Sequence, residues 1–121
     1  MHVLNEADLE RFAATDPNGP VVMLNLLRFT PGGEAKYREY MEKFTSTGVS
    51  ERYGVTIVYG GMGHPSLVAD AGGDWDMVAM VSYPSRQNFV DMVNDPDYQE
   101  FEHLRAEAVS TAVLQPTTSV L

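Results

Sequence analysis

Three polar side chains lie within apolar, strand-like segments of this sequence, where they could bind a small polar molecule. Asn25 is the only amide in the run 20–29, and a buried amide without partners costs about 1–3 kcal/mol. Asp76 and Ser82 lie in a second such segment, and strand alternation predicts that both face the same side as Met80. If Asn25 shares that side, the amide, carboxylate and hydroxyl orient a ligand, with Asp76 suited to proton transfer. An alternative of equal weight is that these groups bind no ligand and hydrogen-bond to one another or to a partner chain.

Four further residues could contribute to such a site. His64 lies in a glycine-rich bend before Pro65, where its imidazole could act as acid, base or ligand, although a solvated surface histidine is the commoner case. Arg28 ends the first strand and could bind a carboxylate at the rim of a cavity, or pair with a surface acid. Tyr59 and Trp75 lie at strand ends, where their rings could wall a pocket or simply pack in the core.

The composition excludes several classes of protein. The chain has no cysteine, which excludes disulfides, thiolate chemistry and cysteine-ligated metals. Its three histidines lack metal-ligand spacing, so we predict no metal and no cofactor. A net charge of −9 with eight Lys and Arg argues against binding to nucleic acid or anionic membranes. No segment is apolar enough to span a membrane, and the polar N-terminus lacks signal features, which predicts a cytoplasmic protein.

The order of predicted elements favours one α+β domain. Residues 1–19 are expected to form an N-terminal helical extension capped by Asn5, residues 20–116 the main domain, and 117–121 a tail. Hydrophobic periodicity and turn residues predict strands over 21–29, 55–59, 75–83 and 109–115, a short strand over 66–69, and helices over 34–47, from Ser85 and from Asp95. This order is that of a ferredoxin-like βαββαβ fold, whose antiparallel sheet is covered by helices on one face.

The uncovered sheet face predicts a partner. We expect Val22, Leu24 and Leu26 to meet the helices, together with Met77, Ala79 and Val81. The opposite face then carries four apolar side chains: Met23, Leu27, Val78 and Met80. A face this apolar is rarely left in water, so we predict a homodimer that pairs the two sheets and places Asn25 in the interior between them.

Several segments together resemble a known family. They are the run Val22-Met-Leu-Asn-Leu-Leu-Arg28, the Tyr37-Arg-Glu-Tyr40 helix, the Gly60-Gly61 strand end, the strand closing in Tyr83-Pro84-Ser85 and the Asp95-Pro-Asp-Tyr98 helix entry. Their ordered spacing resembles the domain of unknown function 1330 family over residues 20–116. The resemblance implies membership of the dimeric α/β-barrel superfamily, in which ferredoxin-like subunits pair around a cavity. That superfamily includes cofactor-free monooxygenases, isomerases, haem enzymes and ligand-binding modules, so the resemblance implies a fold and leaves the reaction open.

Two functions from different classes follow. The first is a cofactor-independent enzyme, acting by proton transfer or as a monooxygenase or isomerase on a small organic acid or phenol. Asn25 and Ser82 would orient that substrate, Asp76 or His64 would act as base, and Arg28 would bind its anionic group. The second is a non-catalytic homodimer that binds a small molecule or serves only a structural role.

Overall fold

Ten regular elements follow one another along residues 4–121 of the computed structural model; residues 1–3 of the predicted N-terminal extension lie outside the described residues. The elements are α1 (Glu6–Thr15), β1 (Val21–Phe29), α2 (Gly33–Ser46), α3 (Val49–Tyr53), β2 (Thr56–Met62), β3 (Met77–Tyr83), α4 (Arg86–Asn94), α5 (Pro96–Gln99), α6 (Glu102–Ala108) and β4 (Val109–Thr117). The four strands form one antiparallel sheet in the order β2-β3-β1-β4. The predicted ferredoxin-like fold is therefore confirmed.

Three helices begin at the polar residues that the sequence indicated. The side chain of Asn5 accepts hydrogen bonds from the backbone amides of Ala7 and Asp8 at the start of α1. Ser85 accepts one from the Asn88 amide at 3.0 Å at the start of α4. Asp95 does the same for α5, whose first residue is Pro96. Each cap satisfies an amide that the first helical turn would otherwise leave unpaired.

Several predicted boundaries were wrong. No strand forms over 66–69, because Ser66 and Asp74 bond each other's backbone amides through their side chains at 2.8 and 2.9 Å and thereby close a loop. The second strand continues through two glycines to Met62. The last strand continues past Pro116, because β4 is an edge strand and tolerates a residue without an N–H. The helix expected from Asp95 is divided into α5 and α6.

The set of β1 residues that faces the helices is the opposite of the predicted one. Val21, Met23, Asn25 and Leu27 are 0–7% exposed and lie on the helix side. Asn25 pairs directly with Ala79, whereas Leu24 pairs with Met80 on the opposite face. Because nearly every residue of β1 is apolar, alternation by itself carries no signal for which half meets the helices. The side predicted for β3, with Met77, Ala79 and Val81 toward the helices, is confirmed.

The helices and the inner sheet face enclose the core. Its largest fully buried side chains are Leu27, Met92, Val21, Val49 and Val109. The N-terminal helix belongs to this core, since Leu9 is 8% exposed and the rings of Phe12 and Phe89 pack edge to face at 5.7 Å. No helix within residues 4–121 has the length and apolar character needed to cross a bilayer. The cytoplasmic location stays a prediction.

Candidate functional site

A cavity of about 950 Å³ lies between the sheet and the helices of a single chain. Its inner surface is formed by buried residues of α1, β1, β3, α2, α4 and α5, and exposed side chains of α1, β2 and α6 form its rim. The walls are mainly apolar and aromatic, with a few polar groups among them. The buried residues that line it are Leu9, Asn25, Tyr37, Tyr40, Tyr83, Phe89, Met92, Val93 and Tyr98.

Asn25 is the buried polar residue on the β1 side of this cavity. Its side chain is 7% exposed, and Nδ2 donates one long hydrogen bond of 3.3 Å to the carbonyl of Met23 in the same strand. Oδ1 accepts no hydrogen bond from residues 4–121. Since a buried amide can make four hydrogen bonds, most of its capacity is available to a molecule inside the cavity.

Four tyrosines surround the same space and keep their protons. Tyr40 and Tyr98 share a hydrogen bond of 2.9 Å between their hydroxyl groups, and the Tyr40 ring packs edge to face on Phe101. Burial raises the pKa of Tyr37, Tyr40, Tyr83 and Tyr98 above the ordinary value of 10. At neutral pH these hydroxyls therefore act as neutral hydrogen-bond donors rather than as phenolates.

Arg105, on α6, brings a positive charge to this tyrosine cluster. Its Nη2 atom is shielded from solvent and has no hydrogen-bond partner among residues 4–121. Its charge lowers the pKa of each of the four tyrosines, against the larger rise that burial causes. A guanidinium beside an apolar cavity is well suited to hold an anionic group of a ligand.

The rim of the cavity is acidic and exposed to solvent. Three carboxylates lie there, Glu6 and Glu10 on α1 and Glu102 on α6. His103 also lines the rim, but its Nδ1 is 2.8 Å from Oε2 of Glu107 on the outer side of the helix. No group of three or more potential metal ligands occurs within residues 4–121.

The predicted polar cluster is not brought together, and the expectation of one space shared by Asn25, Asp76 and Ser82 was wrong. Ser82 lies on the open face, two residues along β3 from Met80. Asp76 precedes β3 at the far end of the sheet, where its carboxylate accepts a hydrogen bond of 2.8 Å from the Phe29 amide. Asn25 is separated from Ser82 because the other side of β1 faces the helices, and Asp76 is separated from both because it lies before β3 begins.

The other predicted site residues also lie outside the cavity. Arg28 hydrogen-bonds the Gly73 carbonyl, and its guanidinium lies 4.1 Å from the centre of the Trp75 ring, so it fastens the loop 63–76 to the sheet. His64 lies exposed in that loop. Tyr59 is 52% exposed and pairs with Met80 on the open face. A role in ligand binding for these residues stays a prediction that depends on a partner chain.

Sequence reasoning missed the aromatic and cationic part of the cavity. The predicted site residues included none of the four tyrosines, Tyr37, Tyr40, Tyr83 and Tyr98, and did not include Arg105. One signal was present: a buried helix stripe built from phenols rather than phenylalanines carries hydroxyl groups that need partners. The position of Arg105 could not be foreseen, because its helix differs from the continuous one that the sequence predicted.

The chain matches one protein family and resembles several proteins of known structure. The family described as "Domain of unknown function (DUF1330)" matches residues 26–115. The chain is 31% identical to the RPA0582 protein of unknown function from Rhodopseudomonas palustris, with a TM-score of 0.84 over 98% of this chain and 96% of that one. The methylated RPA0582 protein gives a TM-score of 0.88 at 31% identity, over 100% and 96% of the two chains.

More distant structures share the fold alone. A protein from Bacteroides thetaiotaomicron, provisionally named an antibiotic biosynthesis monooxygenase, is 18% identical with a TM-score of 0.59, over 85% of this chain and 91% of that one. A dimeric protein of unknown function and ferredoxin-like fold from Bacteroides fragilis is 10% identical with a TM-score of 0.56, over 82% and 95%. No curated protein matches the chain.

Proposed function

This chain belongs to the family described as domain of unknown function (DUF1330), and we propose that it binds a small organic acid or phenol in the cavity between its sheet and its helices. The observation that carries this proposal is the pairing of one cation with one amide at the cavity. Arg105 lines the cavity and forms no salt bridge with any acid of residues 4–121, and Oδ1 of Asn25 accepts no hydrogen bond from those residues. A bound ligand with an anionic and a polar group would give both side chains partners.

The dimensions and lining of the cavity support the same proposal. Its volume of about 950 Å³ falls within the range of roughly 300–1,000 Å³ usual for small-molecule sites. Apolar and aromatic walls would bury most of a ligand, while a few polar groups would fix its orientation. The Tyr40 and Tyr98 hydroxyls bond each other, whereas Asn25, Tyr37, Tyr83 and Arg105 also line the cavity and are the groups best placed to orient a ligand.

Ligand binding is better supported than proton-transfer catalysis by the residues first considered. Asp76 and His64 both lie outside the cavity, and the Asp76 carboxylate is engaged with backbone. A cofactor-independent enzyme is the second candidate, suggested by the distant relative with a monooxygenase name. In that case Arg105 would stabilise an enolate or phenolate anion within the aromatic walls.

The binding proposal is tested by a fragment screen that covers aromatic acids, phenols and neutral analogues. Binding is measured by two-dimensional NMR of the 15N-labelled protein. We expect hits to shift the amide signals of residues around Asn25, Tyr40 and Leu114, and to leave the loop 63–76 unaffected. Hits that map only to the open sheet face, or no hit at millimolar concentration, would contradict the proposal.

We also propose that the open sheet face pairs with a second copy of this chain. That face carries six partly buried apolar side chains: Val22, Leu24, Leu26, Val78, Met80 and Val113. A contiguous apolar surface of this kind is typical of an interface, and two-fold pairing of the same face is the commonest way to cover it. The distant relative from Bacteroides fragilis, of the same fold, is described as dimeric.

Sedimentation velocity at micromolar concentration tests the pairing directly. We expect a single species near twice the mass of the 13.4 kDa chain. A stable monomer across the concentration range would refute the proposed dimer, and it would leave the ligand cavity unaffected because that cavity lies on the other side of the sheet.

A further inference from the structure

The buried part of Arg105 is an unpaired donor in an apolar setting. Nη2 has no hydrogen-bond partner within residues 4–121 and no contact with solvent. The guanidinium is always charged, so it cannot relieve this cost by losing its proton. Arg105 also lines the cavity, so the rest of its guanidinium is within reach of an acceptor that a ligand brings.

The carboxylates near the cavity do not supply that acceptor. Glu6, Glu10 and Glu102 all line the rim and are exposed, and Arg105 forms no salt bridge with any acid of residues 4–121, although five other basic residues do. Exposed rim charges act through water and are screened within about 10 Å at ordinary salt. The guanidinium therefore has no acidic partner within residues 4–121, and its charge acts on the four buried tyrosines, whose pKa values it lowers.

On the proposed function, we infer that the ligand is a monocarboxylate on a mainly apolar body, with Arg105 binding the carboxylate and the tyrosine cluster surrounding the body. Arg105 offers parallel N–H donors that match a carboxylate. Tyr37 lies beside Arg105, where its hydroxyl oxygen can accept from the guanidinium while its own O–H donates to the same anion. The apolar and aromatic lining fits the remainder of such a molecule.

A dianionic phosphate fits the site less well. Among the residues that line the cavity, Arg105 is the single permanent cation, and the rim carries three carboxylates. A phosphate at neutral pH would need further cationic groups to offset its second charge and its loss of water. One guanidinium with neutral hydroxyl donors instead matches a single negative charge.

The inference is tested with three probes of the same size and different charge: benzoate, benzamide and benzylamine. Affinities are measured by calorimetry and NMR for the wild-type protein, Arg105→Met and the control Arg38→Met. Arg38 lies exposed on α2, paired with Glu34 at 3.0 Å, outside the cavity. We expect the wild type to bind benzoate at least about 10-fold more tightly than benzamide, as a charge-assisted hydrogen bond would give.

Arg105→Met should abolish that preference and change the affinity for benzamide by less than about 3-fold, whereas Arg38→Met should preserve it. Should Arg105→Met fail to fold, the wild-type ratio and the shift of the Arg105 Nε–H signal on adding benzoate decide the question. Equal binding of benzoate and benzamide, or tighter binding of benzylamine, overturns the inference and leaves the proposed function standing. Absence of binding by all three probes counts against both.

Discussion

Replacing Asn25 by leucine separates a ligand-facing amide from a structural one. The two side chains have the same branched shape and number of heavy atoms, and the cavity beside Asn25 has room for the larger methyl groups, so the substitution removes polarity with little change in packing. The structural loss is one hydrogen bond of 3.3 Å, at the weak end of the range, to a carbonyl within the same strand. A typical net hydrogen bond contributes about 0.5–1.5 kcal/mol, and burying leucine on the apolar cavity wall offsets part of it.

We therefore expect Asn25→Leu to lower the free energy of unfolding by less than about 1 kcal/mol, or roughly 2–5 °C in Tm. The control is Leu27→Ala, two residues along the same face, where a fully buried side chain is truncated at a cost of about 2–5 kcal/mol. Stability is measured by urea unfolding, and benzoate binding by calorimetry. The reasoning is refuted if Asn25→Leu costs more than about 2 kcal/mol and leaves benzoate binding unchanged, because Asn25 would then serve the fold.

Further substitutions test other parts of the structure. Met80→Lys should dissociate or unfold the dimer, since it would bury an unpaired charge between the sheets, whereas Ala14→Lys on exposed α1 should leave the sedimentation coefficient unchanged. Tyr40→Phe should lower the free energy of unfolding by about 1–3 kcal/mol, because it leaves the buried Tyr98 hydroxyl without its partner. The double variant with Tyr98→Phe should lose less than the sum of the two single changes. The pKa of Asp95 is lowered below its ordinary 3.8 by the Tyr53 hydroxyl, the Asp97 amide and Arg52. The ionised Asp95 therefore stabilises the fold fully above pH 3.8, and this stabilisation is lost as the pH falls through the lower pKa of the folded state. The acid dependence of Tm should therefore be weaker in Asp95→Asn, and an unchanged profile would contradict this role. Gly33→Ala should destabilise the protein, since a Cβ there would collide with the Ala108 carbonyl oxygen, whereas Gly60→Ala adds its Cβ in open space; equal unfolding midpoints for the two variants would contradict this prediction.

The helix starts and the fold class could be read from local sequence. Asn5, Ser85 and Asp95 act on amides two or three residues away, so their capping role depends on neighbours along the chain. The order of strands and helices along the chain then predicted the antiparallel ferredoxin-like topology, and the sheet has that topology. The net charge and the lack of cysteine likewise argued against nucleic-acid binding and excluded thiolate chemistry from composition alone.

The side of β1 and the location of the cavity were decided only by tertiary structure. In a strand whose residues are almost all apolar, both registers bury similar surface, and the pairing of Asn25 with Ala79 and Leu114 selects between them. That choice moved Asn25 away from Ser82 and Met80, and placed it in the same cavity as Tyr37, Tyr40 and Arg105. These residues lie far apart in the sequence, and only the packing of α2 and α6 over the sheet brings them to one cavity.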